Sequence, residues 1–407
     1  MNQKVEDNEM EPEAQESQPV DHEEELKKEE RRRKWLLLLL LLLLLLLCCV
    51  GVLFIRYIRR PAPLPEILPI PNVNYPPHYL FSIYGLDQPV GVTLSPDGER
   101  IYVAETGGER LIKAFDRNGD PLFSFAPPKT SSAERSPVYL ASDNSGRVFV
   151  TDRLQDAIFV YDPDGKYLDT ILSPSLTLNA YVASQIGGMP SRTTFNYSVF
   201  VGSVYYQLAE DDEKDLPAPI VPAWDPLGIR FDRHGNLWLT DASGDNHLVR
   251  KFPAGDIFVW PTMFFRPAEI HFGKTGQNPG EFLYPNVAVV DSQDRVYVCD
   301  GNNGRVSVWD SEGEFLLEFG RGSADSGLSL PRGAFIDERD RLHIVDAVGQ
   351  NVKVYDVSGA TPAFLYAFGD WGIGDGLFNY PNDIVLDETG RLYIADRENN
   401  RVQVWSY

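Results

Sequence analysis

Cysteine is almost absent from this chain, with three residues in 407. Two of them, Cys48 and Cys49, are adjacent in an apolar run, so a disulfide scaffold is excluded and Cys299 has no partner in the remainder. Histidine is scarce too, at six residues. A zinc site built from histidines needs several that converge. His22 lies in the N-terminal tail, His78 begins a strand, His234 sits in a turn, and His343 holds a position that neighbouring repeats fill with an aromatic ring. Only His247 and His271 remain for such a site. Basic residues are outnumbered, 37 Lys and Arg against 59 Asp and Glu, for a formal net charge of -22. Residues 1–34 account for -5 of this and residues 56–77 for +2, which leaves -19 on residues 78–407. Binding to a phosphate backbone needs clustered Lys and Arg, so no nucleic-acid partner is expected. Also missing are a nucleophile elbow, a phosphate-cradling glycine loop and a paired-cysteine motif.

What the N-terminal part has in plenty is leucine. Trp35–Ile55 carries no charge over 21 residues, and Leu36–Leu47 is leucine throughout. As a helix this run spans about 31 Å at 1.5 Å per residue, and its leucines alone favour insertion by roughly 6 kcal/mol. It is too long for the apolar core of a signal peptide, and no small-residue cleavage site precedes Arg56. The expectation is a transmembrane helix over residues 35–55, with membrane lipid as its partner. Residues 1–34 read as a charged tail, unstructured at first and helical from about Asp21, where Glu/Lys and Glu/Arg pairs fall at i,i+4 spacing. Six bases precede the run (Lys27, Lys28, Arg31–Lys34) and three follow it (Arg56, Arg59, Arg60). That bias places the N-terminus in the cytoplasm and the bulk of the chain outside the cell membrane. Residues 56–77, with seven prolines from Pro61 on, read as an extended stalk of up to roughly 50 Å.

Residues 78–407 repeat one unit six times. A proline opens each unit: Pro89, Pro137, Pro226, Pro285, Pro331 and Pro381. An apolar strand, a polar turn and a second strand follow, the second strand carrying a ring residue (Tyr102, Phe149, Trp238, Tyr297, His343, Tyr393). Three residues later comes an acid: Glu105, Asp152, Asp241, Asp300, Asp346 and Asp396. A third strand closes on an aromatic (Phe115, Tyr161, Phe252, Trp309, Tyr355, Trp405). Short alternating strands at a period of 40–50 residues mean propeller blades. The sixth unit stops after its third strand, and Tyr79–Gly85 matches the segments Phe315–Gly320 and Phe364–Gly369 that end units four and five. The N-terminal strand is therefore expected to complete the last blade and remove its open edge.

At these residues the sequence resembles a known family. Leu283-Tyr-Pro-Asn with Val296-Tyr-Val-Cys-Asp-Gly-Asn-Asn-Gly-Arg-Val is similar to NHL repeats, and so is Tyr380-Pro-Asn-Asp with Leu392-Tyr-Ile-Ala-Asp-Arg-Glu-Asn-Asn-Arg-Val. The resemblance implies an all-β, six-bladed propeller; it implies no single function, because propellers host binding, sensing and catalysis. Relatives of this fold include a zinc-dependent amidating lyase and metal-dependent lactonases.

In a four-strand blade the second-to-third strand loops and the blade-to-blade connections share one face. Two long connections fall there: an insertion at 173–222, containing a hairpin about Gly202-Ser203, and residues 261–284. Polar residues assigned to this loop face, Arg266, His271, Arg332, Asn286, Asn382, Asp383 and His247, are the candidates for contact with a ligand or partner. The acids after the second strands could ring the channel as metal ligands. Their better reading is structural, with Glu105/Arg110, Asp300/Arg305 and Asp396/Arg401 as hydrogen-bonded pairs stapling each loop. No cofactor is required; calcium is the cation an acidic channel mouth would hold. The function read from sequence is that of a membrane-anchored, extracytoplasmic propeller binding another protein or a surface ligand. The alternative is a metal-dependent lyase or hydrolase with its site at the channel mouth.

Overall fold

Each blade of the folded domain begins where proline forbids a regular ladder. Proline cannot donate to a neighbouring strand. In all six blades the register shifts between the opening proline and the rest of the first strand, as at Pro285/Ala288 and Pro381/Asp383. The computed structural model describes residues 22–59, 75–171, 196–201, 204–208, 225–244, 246–252, 254, 270–322 and 324–407. It falls into two units, Met1–Pro61 and Ala62–Tyr407.

The second unit is a six-bladed propeller. Blade one comprises strands Pro89–Leu94, Arg100–Glu105, Ile112–Asp116 and Pro121–Phe125. The others repeat the pattern from Pro137, Pro226, Pro285, Pro331 and Pro381. First strands of neighbouring blades abut around the ring, so they line the axis. Their close approach relies on glycine in alternate blades: Gly91 and Gly228 stand where blades two and four carry Tyr139 and Val287. A Cβ on Gly228 would lie 1.8 Å from the Asn286 carbonyl oxygen, and one on Gly91 2.2 Å from that of Val138.

The core is divided among the blade interfaces. Six clusters of buried apolar side chains fill the six gaps between adjacent blades. Five of the six ring residues of the second strands belong to them. The sixth, His343, is fully buried: its Nε2 lies 2.6 Å from Tyr407 Oη, and burial pulls its pKa down to about 4. It therefore packs as a neutral ring. At the turns between first and second strands, one oxygen of Asp143, Asp232, Asp291, Asp337 or Asp387 accepts the N–H groups two and four residues on. These turns commit five of the domain's aspartates to backbone hydrogen bonds.

His78–Ile83 pairs antiparallel with Arg401–Ser406 and completes blade six. One element departs from the expected layout. Ile270–Phe272, placed by sequence in a blade-to-blade connection, is the fourth strand of blade three and pairs with Val249–Lys251. Its Phe272-Gly273 ending repeats the Phe-Gly that ends the fourth strands of blades four and five. Within the expected insertion 173–222, Asn196–Val201 and Val204–Leu208 form an antiparallel hairpin; its other residues, and residues 60–74 of the expected stalk, lie outside the described residues.

The described residues of the first unit form one helix, His22–Arg59. Leucine is a strong helix former, and the charged turn before the leucines is braced by a Lys34–Glu30 ion pair at 3.0 Å. The stretch Lys27–Val52 is long and apolar enough to cross a membrane, and Leu36–Leu47 is exposed on every side of the helix.

Candidate functional site

The acid at the end of each second strand is a backbone clamp. Asp300 accepts the Leu283 N–H at 2.6 Å, Asp396 that of Asn379 at 2.8 Å, and Asp346 those of Ser329 and Leu330 at 2.8 Å. Asp152, Asp241 and Glu105 hold Ser136, Asp225 and Asp87 in the same way. A cation from the third strand completes five of the six clamps. Arg305 meets Asp300 and Arg401 meets Asp396, both at 2.8 Å. Blades one, three and five use Lys113, Arg250 and Lys353 instead. The expected Glu105/Arg110 pair is thus replaced by Glu105/Lys113 at 2.8 Å. Arg110 precedes the third strand at φ +52° and donates to the Thr106 and Arg135 carbonyls, so its side chain is committed elsewhere. Burial raises the Asp300 carboxyl, and its N–H and guanidinium donors oppose that rise. Among the described residues no three His, Cys, Asp or Glu side chains gather as a metal-ligand set.

A second recurrent device shapes the channel mouth. Gln88, Tyr284 and Tyr380, each just before an opening proline, have φ of 49°, 56° and 54°. Left-handed backbone is strained for such residues and costs about 1–3 kcal/mol. It is held by side chains of the preceding blade. Asn400 Oδ1 takes the Gln88 N–H at 2.8 Å, Gln350 Oε1 takes that of Tyr380 at 2.7 Å, and His247 Nδ1 takes that of Tyr284 at 3.3 Å.

Inside the mouth the first strands of all six blades contribute to a polar cluster, blade one through its backbone and the other five through side chains. Arg230 of blade three reaches across the axis to form an ion pair with Asp383 of blade six. Asp383 is fully buried and also accepts the Val92 N–H at 3.1 Å. Burial pushes its carboxyl up while Arg230 pulls it down. Arg332 of blade five donates to Asn286 Oδ1 at 3.3 Å and to Tyr380 Oη at 3.2 Å. Asn382 donates to the Val90 carbonyl at 2.9 Å and to Tyr139 Oη at 3.4 Å. Burial raises the Tyr139 hydroxyl, which stands in the fields of Arg332, Asp383 and Arg230.

The structure therefore brings together four of the seven loop-face candidates: Arg332, Asn286, Asn382 and Asp383. It sets two aside. His247 is buried, 4.9 Å from the Tyr284 ring between centroids, and acts as the Tyr284 N–H acceptor. His271 lies on the outer strand of blade three opposite Arg250, with burial and that cation lowering its pKa. Arg266 lies outside the described residues. Sequence reading missed Arg230, Tyr139 and Tyr380. The signal for Arg230 was available, because it carries a charge at a first-strand position that the other blades fill with Thr93, Ala141, Val289, Phe335 and Val385.

Residues 378–405, the sixth blade, match the family model described as NHL repeat. Protein brain tumor from Drosophila melanogaster is 39% identical over 61 residues, 15% of this chain and 6% of that protein. This chain thus spans a small fraction of that relative's length. Among solved structures, a streptogramin B lyase superposes with a TM-score of 0.50 at 14% identity, covering 81% of this chain and 98% of the lyase. A catalytically inactive virginiamycin B lyase from Staphylococcus aureus with quinupristin gives 0.48 at 13% identity, covering 80% and 98%. At such identities the likeness shows the propeller fold alone.

Proposed function

We propose that this protein is a membrane-anchored binding module whose propeller offers its loop face to a partner outside the cytoplasm. The observation that supports a partner comes from two connections built on one backbone. In the connection before blade four, Thr275 bridges to Phe282 in parallel; in that before blade six, Trp371 bridges to Phe378. Gly276 and Gly372 share φ near 155°, and Gly280 and Gly376 share φ near 78°. The first connection places Lys274, Thr275 and Gln277 at its tip, whereas the second places Trp371, 69% exposed, and Ile373, 80% exposed. The fold of the loop does not require an exposed tryptophan and isoleucine, since the polar version adopts it. An exposed aromatic-aliphatic pair on a rigid loop has the make-up of an interface anchor. Leu154 and Val348, both more than half exposed, stand on second-to-third strand loops of the same face.

Anchoring is supported by the Lys27–Val52 helix and by the excess of bases before it. The topology has a direct test. Protease added to intact cells is expected to cleave the propeller loops or the Arg60–Pro77 segment while an epitope at the N-terminus survives. Cleavage of the epitope with a protected propeller would reverse the orientation.

A further inference from the structure

The axial cluster carries a positive charge without a counter-charge. It holds two guanidinium groups, Arg230 and Arg332, and one carboxylate, Asp383. Arg230 takes that carboxylate. Arg332 has no carboxylate partner among the described residues, and it stands in a domain whose formal charge is -19. Its two bonds run to neutral oxygens, Asn286 Oδ1 at 3.3 Å and Tyr380 Oη at 3.2 Å, and both are longer than charge-assisted bonds ordinarily are. Its Nε is buried and has no acceptor. A guanidinium has five N–H donors, so three are left over here. Of these the Nε is buried, and a buried donor without an acceptor is uncommon in folded proteins.

The surroundings select what could fill the gap. Neutral donors and acceptors flank the guanidinium: the amides of Asn286 and Asn382 and the hydroxyls of Tyr139 and Tyr380. The Tyr139 hydroxyl lies in the Arg332 field. The Tyr380 ring is itself fixed between two guanidinium groups, Arg332 at 5.8 Å and Arg397 at 5.7 Å, the latter paired with Glu398 at 3.4 Å. A planar anion with two oxygens matches the fork that the two terminal nitrogens of Arg332 present. The geometry points to the loop-face end of the channel as a binding site for a small carboxylate, held by Arg332 and oriented by Asn286, Asn382 and the Tyr139 and Tyr380 hydroxyls. Asp383 with Arg230 forms the floor of the site. This deepens the reading of the loop face as the binding side and adds a ligand class to it.

Acetate titrated calorimetrically into the detergent-solubilised full-length chain, with ionic strength held constant by chloride, tests the site. Saturable binding at one site is expected. Arg332→Gln should weaken it at least about tenfold. It should leave the melting temperature without acetate unchanged, because the bonds it removes are long and end on neutral atoms. Arg332→Lys keeps the charge and loses the fork, so it should fall between wild type and Arg332→Gln. Arg339→Gln, on the opposite face, should bind acetate as wild type does. Absence of saturable acetate binding, equal affinity in Arg332→Gln, or a preference for phosphate over acetate would each overturn the assignment. The titration reads the channel alone, so its failure leaves the partner-binding role of Trp371 and Ile373 standing. Loss of that role with acetate binding intact would leave the carboxylate site standing.

Discussion

A chain shortened to begin at Asp87 is expected to aggregate or to melt far below one that begins at Pro77. The ten residues between them include His78–Ile83, the fourth strand of blade six. Ile83 is buried in the cluster between blades six and one, with Leu80 and Phe81 packed against it. Tyr79 sets its ring edge-on to Trp405, at 6.0 Å between centroids, and donates to Asp375 Oδ1 at 3.0 Å. One fully buried and three partly buried apolar side chains are worth roughly 4–8 kcal/mol. Domains are typically stable by about 5–15 kcal/mol, so losing this strand removes much of the total. It also bares Arg401–Ser406 as an open edge able to pair with another chain. Thermal melting and light scattering on the two chains decide the matter. Equal melting temperatures with both chains monomeric would contradict closure of the ring by this strand.

Arg305→Ala should destabilise the propeller by about 3–5 kcal/mol, the range for removing one partner of a buried ion pair. Arg305 has no solvent exposure. It ties Asp300 at 2.8 Å, the Asn278 and Glu281 carbonyls at 2.9 and 2.7 Å, and Glu318. Arg401 repeats this with Asp396 and the Gly374 and Leu377 carbonyls. Removing Arg305 strands a buried carboxylate and two carbonyls and frees the connection that leads into blade four. Adding Asp300→Asn to Arg305→Ala should cost less than the sum of the two single changes, because the stranded charge is gone. Urea unfolding of the two single variants and the double reads this directly. A loss below about 1 kcal/mol for Arg305→Ala would demote the clamp to an ordinary surface pair.

The repeat was legible in the sequence because every blade must satisfy the same constraints. Proline at the axis end, a ring in the second strand and an acid behind it each answer a backbone or packing need that recurs six times. The partners of the acids were less legible. In the five blades that have one the cation comes from the third strand, but whether its first residue (Arg305, Arg401) or a later one (Lys113, Arg250, Lys353) reaches the acid depends on loop length and strand register. Sequence spacing found only the first kind. The axial cluster was legible in part: Arg332, Asn286, Asn382 and Asp383 stand beside or just past the prolines. Arg230 lies deeper in its strand and reaches Asp383 only because blades three and six oppose each other across the axis, a relation that closure of the ring creates. His271 lies on a three-residue strand too short to show a strand pattern of its own, and only its Phe272-Gly273 ending marks it as the last strand of blade three.

The measurement that bears most directly on the binding role is photo-crosslinking in intact cells. A photoreactive amino acid is placed in turn at Trp371 and Leu154 on the loop face and at Asp164 and Glu312 on the turn face, all four exposed. A binding module that works through its loop face gives a discrete, saturable adduct from Trp371, a weaker one or none from Leu154, and none from Asp164 or Glu312. Adducts of equal strength from both faces, or from the turn face alone, would contradict the account.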